Sequence, residues 1–333
     1  MHATNASPVV LVQGGHSVKA QQQAKVAILL PTYNGARFVE AQLNSLIDNA
    51  TPFTLHWLDD HSVDDTRAVV RASASNAGIE LREWHQPQHL GHPSTFFQLI
   101  ECVDADIYLF CDQDDIWQPG KIDATVANLL PDTAAPVLCF SESLVFKEDK
   151  PETLRRVFDL MGTKLEVALQ EPRLLMFNPC QGNTVGFTRP LREIFLRHKD
   201  IARAYAPTHD WWMYLIAVAS GTSRLLYNAP TTLWRLHGNN ISAALFGRNR
   251  WQLQQALRRW ASRQAEGFCL ASATLAPGPK LERLLALARL VATLDQRQSP
   301  AALLRLARWG AMPPSSSLAT WLATACLCSE AND

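Results

Sequence analysis

Ile107-Tyr108-Leu109-Phe110-Cys111-Asp112-Gln113-Asp114-Asp115-Ile116-Trp117 is the stretch that decides the fold. Five apolar residues run straight into three carboxylates. A short, continuous apolar run reads as a strand buried on both faces. An acidic turn at the carboxyl end of such a strand lies where open α/β sheets bind their ligands. Toward the N-terminus, residues 26–30 form a second apolar run, ended by Pro31. Residues 55–58 form a third, which stops at Asp59-Asp60, and residues 79–84 a fourth. Between them, Val39, Leu43, Leu46 and Ile47 share one helical face. Ser62 can cap a second helix that reaches about Ser75, and residues 95–103 read as a third. This β-α-β-α-β-α-β order predicts an α/β fold, a sheet with helices on both faces.

Downstream the pattern is less regular. Residues 137–140 and 183–188 read as strands, 209–219 as an apolar helix with a polar start, and 225–227 and 232–236 as short extended segments; 151–178 are mixed. The composition changes near residue 250. Over 250–310 ten Lys/Arg face three acids, a local balance of +7 after a domain of opposite bias. Leu253, Ala256, Leu257 and Trp260 share one helical face, and Leu281, Leu284, Leu285, Ala288 and Val291 another. The expected organisation is a loose tail over 1–23, a catalytic domain over 24–245 and a basic helical appendage over 246–333. The appendage is either a surface for anionic lipid, where each basic residue contributes about 1 kcal/mol, or a cap packed on the domain.

Composition narrows the function. Of 333 residues, 47% are hydrophobic and 19% charged, which excludes a wholly disordered chain. Thirty-one basic residues balance 31 acidic ones, so charge predicts no nucleic-acid partner. Seven cysteines, an odd number without a CxxC pair, argue against a disulfide scaffold or structural zinc and for a reducing compartment. Residues 1–23 lack a signal-peptide pattern. No apolar stretch approaches the ~18 residues of a membrane span.

The acidic turn carries the chemistry. Asp112, Asp114 and Asp115 repel one another unless a cation neutralises them, and oxygen ligands suit Mg²⁺ or Mn²⁺. A lone acidic turn is as readily a solvated loop; the buried strand before it and Trp117 and Pro119 after it favour a site. Asp59 and Asp60 precede a helix that Asp64 and Asp65 can serve, where negative charge gains roughly 0.3–1 kcal/mol. Asp59 and Asp60 are then available to accept hydrogen bonds from a base or ribose.

Five blocks together resemble family 2 glycosyltransferases of the GT-A type. They are Leu30-Pro31-Thr32-Tyr33-Asn34-Gly35, Leu58-Asp59-Asp60-His61-Ser62-Val63-Asp64-Asp65-Thr66, the stretch from Cys111 to Trp117, His209-Asp210-Trp211-Trp212, and Trp234-Arg235-Leu236-His237-Gly238-Asn239-Asn240. The Asp-Gln-Asp-Asp-Ile-Trp and His-Asp-Trp-Trp blocks look most like the rhamnosyltransferase branch, which acts in O-antigen and other surface-polysaccharide assembly. The resemblance implies a GT-A mixed sheet, Rossmann-like, with a C-terminal helical appendage. It implies that Thr32, Tyr33, Asp59, Asp60 and Asp112 bind the nucleotide sugar, and that Asp112, Asp114 and His237 hold Mg²⁺ or Mn²⁺. It implies that Asp210 is the catalytic base and that Trp211 and Trp212 face the acceptor sugar. The donor would be a nucleotide-diphosphate sugar, with dTDP-rhamnose the one this branch points to. The acceptor would be a glycan or a polyprenyl-linked glycan. A cytoplasmic enzyme at the inner face of the membrane would fit that partner.

Two departures from the family stand out. The residue after the aspartate pair is usually glycine; here it is His61, which a turn with φ > 0 would strain, so the local backbone is expected to differ. Residues 178–186 fit the acceptor-side region loosely, and Cys180 is expected in the core. Two other readings are weaker. A haloacid-dehalogenase-type phosphotransferase wants its aspartate pair on the first strand and Thr or Val where Ile116 stands. A non-catalytic nucleotide-sugar-binding module would not need Asp112, Asp114 and Asp210 together.

Overall fold

The computed structural model describes residues 24–148, 150–160, 175, 178–220, 223–226, 230–237 and 250–292. The expected N-terminal tail, the boundary at 245/246, residues 293–333 and Gly238-Asn239-Asn240 lie outside the described residues.

In chain order the elements are β1 (Val26–Thr32), α1 (Val39–Asn44), β2 (Thr54–Asp59), α2 (Thr66–Asn76), β3 (Glu80–Trp84), α3 (Ser94–Cys102) and β4 (Ile107–Phe110). There follow β5 (Ile116–Trp117), α4 (Lys121–Leu129), β6 (Leu138–Ser141), β7 (Ser143–Lys147), β8 (Lys150–Arg156) and α5 (Val157–Leu160). The last are β9 (Gly186–Thr188), α6 (Arg189–Leu196), α7 (Lys199–Tyr205), α8 (His209–Ala219), β10 (Ser223–Leu226), β11 (Thr232–Leu236), α9 (Arg250–Ala271) and α10 (Pro279–Ala292).

A seven-stranded sheet has the order β10-β6-β9-β4-β1-β2-β3. β3, β2, β1 and β4 are parallel; β9 runs antiparallel to both β4 and β6. The chain moves outward from β1 to β3 and then returns to β4 on the other side of β1. The switch point therefore lies between β1 and β4, where such sheets bind ligands. Alternation within each strand feeds two cores. Ala27, Leu29, Tyr108 and Phe110 face one layer with α3, α6 and α8. Val26, Ile28, Leu30, Ile107, Leu109 and Cys111 face the other with α1, α2 and α4.

A second, four-stranded sheet has the order β5-β11-β7-β8. β5 is the two-residue exit from the acidic turn. Its antiparallel register with β11, Trp117 opposite Thr232 and Ile116 opposite Leu233, brings the residues after β11 back to that turn.

Three local expectations are corrected. α1 ends at Asn44, and Ile47 is 52% exposed rather than on the buried face. α2 begins at Thr66, and Ser62 does not cap it: its hydroxyl donates to Asp59 Oδ1 at 2.6 Å. Residues 182–184 form one 3₁₀ turn, so the strand expected over 183–188 is only Gly186–Thr188.

The described part of the basic appendage is a cap. α9 and α10 pack against each other and against α7 and α8, and Ala261, Ala265, Phe268, Leu284, Leu287 and Val291 join the core of the catalytic domain. Arg259, Arg263, Arg283 and Arg289 remain on the exposed side. Gly267 permits the close approach: a Cβ there would lie 2.4 Å from Tyr205 Cβ and 3.3 Å from the Trp212 ring. Since Tyr205 Cβ cannot swing away, Gly267→Ala is expected to cost about 1–3 kcal/mol. Thermal unfolding of the full chain checks this; an unchanged Tm would show that the cap is not seated there. Among the described residues no helix is long and apolar enough to cross a membrane.

Candidate active site

The ends of β1, β2 and β4 place the first three groups side by side. Thr32 is opposite Asp59 in the β1–β2 register, and Leu29 is opposite Phe110 in β1–β4. The acidic turn therefore leaves β4 level with the loop that follows β1. Gln113, between the two aspartates, fastens the two loops. Its Oε1 accepts the Tyr33 N–H at 2.9 Å and its Nε2 donates to Tyr33 O at 3.1 Å. A Cβ on Gly35 would collide with this amide, 2.1 Å from Oε1.

Asp59 is a staple. Its Oδ1 accepts the Thr32 hydroxyl at 2.9 Å and the Ser62 hydroxyl; Oδ2 accepts the Ser62 N–H at 2.9 Å, with Arg67 Nε at 3.6 Å. It is therefore occupied in holding β1 to β2. Asp60 is 2% exposed and is wrapped by the segment from Gln86 to Gly91. Thr32 is buried as well, donating to Asp59 while accepting Trp57 Nε1–H at 2.9 Å. Tyr33 is 46% exposed. His61 does adopt the left-handed backbone, φ +66°, and Asn34 in the facing loop has φ +48°. The expectation that histidine would change this turn is overturned; its ring contacts Gln86 O at 3.2 Å.

The acidic turn divides its labour. Asp115 points inward: it is 1% exposed, its Oδ2 accepts Asn183 Nδ2–H at 2.5 Å, and its Oδ1 accepts the Arg235 N–H at 3.0 Å. Beneath it lies Lys121, 2% exposed, which donates to Asn183 O and to Thr232 Oγ1 and stands 3.7 Å over the Trp117 ring. Burial draws its ammonium down to about 7, against the pull of Cys111, Asp115 and Asp112. This network ties the turn, α4, the 182–184 turn and β11 into one block. Arg235 adds a hydrogen bond from Nε to Asp114 O at 3.0 Å. The β5–β11 register then delivers His237, whose Nε2 lies 2.8 Å from Asp114 Oδ2 and whose ring stacks on Phe38 at 4.4 Å.

Asp112 is half-buried, and its carboxyl is pushed well above the ordinary range by desolvation, then by Asp114 and by Asp210. Asp210 sits in the first turn of α8. Its Oδ1 accepts the Trp211 N–H at 2.8 Å and its Oδ2 accepts Asn178 Nδ2–H at 3.1 Å. Burial raises its pKa as well. Two carboxylates of the acidic turn, Asp112 and Asp114, and a third about a hundred residues further on, Asp210, thus share one electrostatic site. Beside it His209, 3% exposed, stacks on Phe96 at 3.7 Å, and burial keeps it neutral, with a pKa of about 3.

The acceptor-side expectation for Trp211 and Trp212 does not hold. They are 2% and 0% exposed, within the core formed with α3 and α9, and a buried ring has no face for a sugar. No role is read from the sequence for Asn178, Asn183, Gln113, Arg235 or Lys121. Gln113 lies inside the quoted motif, Arg235 in the Trp234–Asn240 block and both asparagines in the 178–186 segment, whereas Lys121 follows the motif without a signal of its own.

The donor set suits a divalent cation completed by ligand oxygens. Asp112 and Asp114 would offer oxygens and His237 a nitrogen; the Asp112 carboxyl is held above the ordinary range by desolvation first and then by Asp114 and Asp210. Among the described residues no three His, Cys, Asp or Glu side chains stand close enough to hold a metal ion by themselves. Mg²⁺ and Mn²⁺ sites of this kind take one or two carboxylates and fill the rest with phosphate oxygens and water.

Comparisons with known proteins agree with the fold. A dTDP-rhamnosyl transferase, RfbG of Shigella flexneri, is 25% identical over 224 residues, covering 63% of this chain and 72% of its own. Among solved structures, TarS of S. aureus with UDP-GlcNAc aligns at TM-score 0.57 and 13% identity, covering 92% of each chain. The mannosyltransferase PcManGT of Pyrobaculum calidifontis, with GDP-Man and Mn²⁺, aligns at TM-score 0.53 and 17% identity over 93% of this chain and 86% of its own. The model of the family "Glycosyl transferase family 2" matches residues 27–195, just over half of the chain. With its GT-A-like mixed sheet and a rhamnosyltransferase relative, the chain belongs to glycosyl transferase family 2 and is a glycosyltransferase.

Proposed function

We propose that the chain is an inverting, metal-dependent transferase that moves a sugar from a nucleoside-diphosphate donor to a surface-polysaccharide or lipid-linked glycan hydroxyl. The observation that carries this reading is the acidic turn leaving β4 level with the loops after β1 and β2, with His237 Nε2 2.8 Å from Asp114 Oδ2. Asp112, Asp114 and His237 would hold Mg²⁺ or Mn²⁺, which as a Lewis acid stabilises charge on the departing diphosphate. Asp210 takes the proton of the acceptor hydroxyl as that oxygen attacks the anomeric carbon. Its raised pKa makes it the stronger base, and the N-terminus of α8 stabilises its charged form. Asn178, bonded to Asp210 Oδ2, orients that carboxylate. Tyr33, exposed beside the β1 end, stacks the base.

The similarity to a dTDP-rhamnosyl transferase supports dTDP-rhamnose as the donor. The outward arginines of the α9–α10 cap would still offer a surface to anionic lipid at the inner membrane face, where a polyprenyl-linked acceptor would be met. The test is mass-spectrometric detection of sugar transfer by the full chain. The donors are dTDP-rhamnose, UDP-GlcNAc and GDP-mannose, with Mn²⁺ and with EDTA. Metal-dependent transfer from dTDP-rhamnose is expected. A chain that binds none of these donors would sink the reading.

A further inference from the structure

His209 and Asp210 open α8 together, and the first of them is gripped from three sides. The His209 ring stacks on Phe96 of α3 at 3.7 Å and 13°, and meets Phe110 of β4 edge-on at 4.5 Å. Against it stands Gly182, where a Cβ would lie 2.9 Å from His209 Nε2 and 3.6 Å from Asp210 Cβ. The polar hold comes from His92, whose Nε2 lies 3.1 Å from His209 Nδ1. His209 Nε2 has no hydrogen-bond partner among the described residues, so His92 is the one polar partner this ring has there.

His92 arrives from another part of the site. It follows Leu90 and Gly91, whose N–H groups donate to the Asp60 carboxylate at 2.8 and 2.7 Å. Two consecutive residues, Gly91 and His92, thus join the end of β2 to the start of α8. His92 is itself exposed, so burial does not fix it; Gly91 holds it on one side and His209 on the other. The helix start needs such a hold, because Thr208 at its N-cap makes no side-chain capping bond, and helix ends depend on partners outside the helix. Burial raises the Asp210 carboxyl, and the field of His92 is among the influences that oppose it, so the two side chains are within electrostatic reach.

We propose that His92 is a positioning residue: through His209 it seats the first turn of α8, and with it the Asp210 carboxylate, against the segment wrapped on Asp60. This inference rests on the base role given to Asp210 and adds the part that places it. A misplacement of about 1 Å can cost about 10²-fold in rate. Loss of one hold among several is therefore expected to cost about tenfold.

The test is sugar transfer by the full chain from the three donors above, with Mn²⁺, for His92→Leu and His92→Gln, each alone and combined with Asp210→Asn. His92→Leu should lower kcat about tenfold and leave the donor KM unchanged. Glutamine carries its amide to the place of Nε2 and can donate or accept, so His92→Gln should restore kcat whichever ring carries the hydrogen. With Asp210→Asn already present, His92→Leu should cost nothing more, since no base is left to place. A merely structural effect would slow both backgrounds alike, and that result overturns the proposal. So does a normal kcat in His92→Leu, a loss that falls on the donor KM instead, or a His92→Gln chain as slow as His92→Leu. Should His92→Leu fail to fold, His92→Asn takes its place: its amide ends near the position of Nδ1, short of His209, and should be as slow. Asp210→Asn at the wild-type rate would instead overturn the base role, and wild type that uses none of the donors the transferase reading; this proposal would fall with either.

Discussion

Asp210→Asn is expected to lower turnover by about 10²–10⁴-fold, the usual worth of a positioned general base, with nucleotide affinity unchanged. The substitution keeps the shape of the side chain and an oxygen for the Trp211 N–H; it removes the capacity to take a proton and the acceptor for Asn178 Nδ2–H. The pH profile gives an independent check. Burial raises the pKa of Asp210 above the ordinary carboxylate value. The base form is present above that raised pKa and is lost as pH falls through it, so wild-type kcat/KM has an acid limb at higher pH than an exposed aspartate would give. The limb should vanish in Asp210→Asn. Stability runs the other way. A carboxyl whose pKa is raised by folding contributes most below its unfolded pKa, near 3.9, and that contribution is lost as pH rises through the folded pKa. At neutral pH the asparagine chain sheds that charge penalty but loses the Asn178 hydrogen bond, so its Tm serves as the control that the variant is folded. Turnover within tenfold of wild type, or a normal acid limb in the variant, would remove Asp210 from its role.

The sequence revealed those parts of this architecture in which one local rule dominates. β1 and β4 are apolar on both faces, so their runs are unbroken, and the turn that follows each was visible beside it. β5 is two residues long and exists only because Trp117 and Ile116 meet Thr232 and Leu233, more than 110 residues away. No local periodicity encodes such a pairing, and the second sheet went unread with it. The same holds for Gln113 and His89, whose partners Tyr33 and Asp60 lie 80 and 29 residues away. Ser62 misled because a serine before a helix resembles a cap, yet the nearer carboxylate of Asp59 took its hydroxyl. Trp211 and Trp212 misled because they adjoin Asp210 in sequence. In a helix, neighbours point about 100° apart, so adjacency to a functional residue puts no side chain in the site. α8 spends nearly all its remaining positions on the core.

Asp114→Ala is expected to remove metal-dependent donor binding and to lower turnover by roughly 10²–10⁴-fold, since Lewis-acid stabilisation of the leaving diphosphate is worth several kcal/mol. The fold should tolerate the change. What anchors the turn is the Asp114 carbonyl, held by Arg235 Nε, together with the Asp115 carboxylate, held by Asn183 and the Arg235 N–H; none of these uses the Asp114 side chain. Lys121 remains bound to Asn183 and Thr232. The measurement is nucleoside-diphosphate affinity across a Mn²⁺ titration, with Tm as the control. Wild type should tighten as Mn²⁺ is added, whereas Asp114→Ala should give a flat line near the metal-free value. His237→Ala should fall between them, because it removes one donor and leaves the carboxylates. The two expected losses also separate from each other. Asp210→Asn is expected to keep donor binding and lose chemistry, and Asp114→Ala to lose both, since in the proposed mechanism one carboxylate acts on the incoming hydroxyl and the other on the departing phosphate. Wild-type affinity that ignores Mn²⁺ would show that the acidic turn binds donor without a cation, and the repulsion among its carboxylates would then need another partner to offset it.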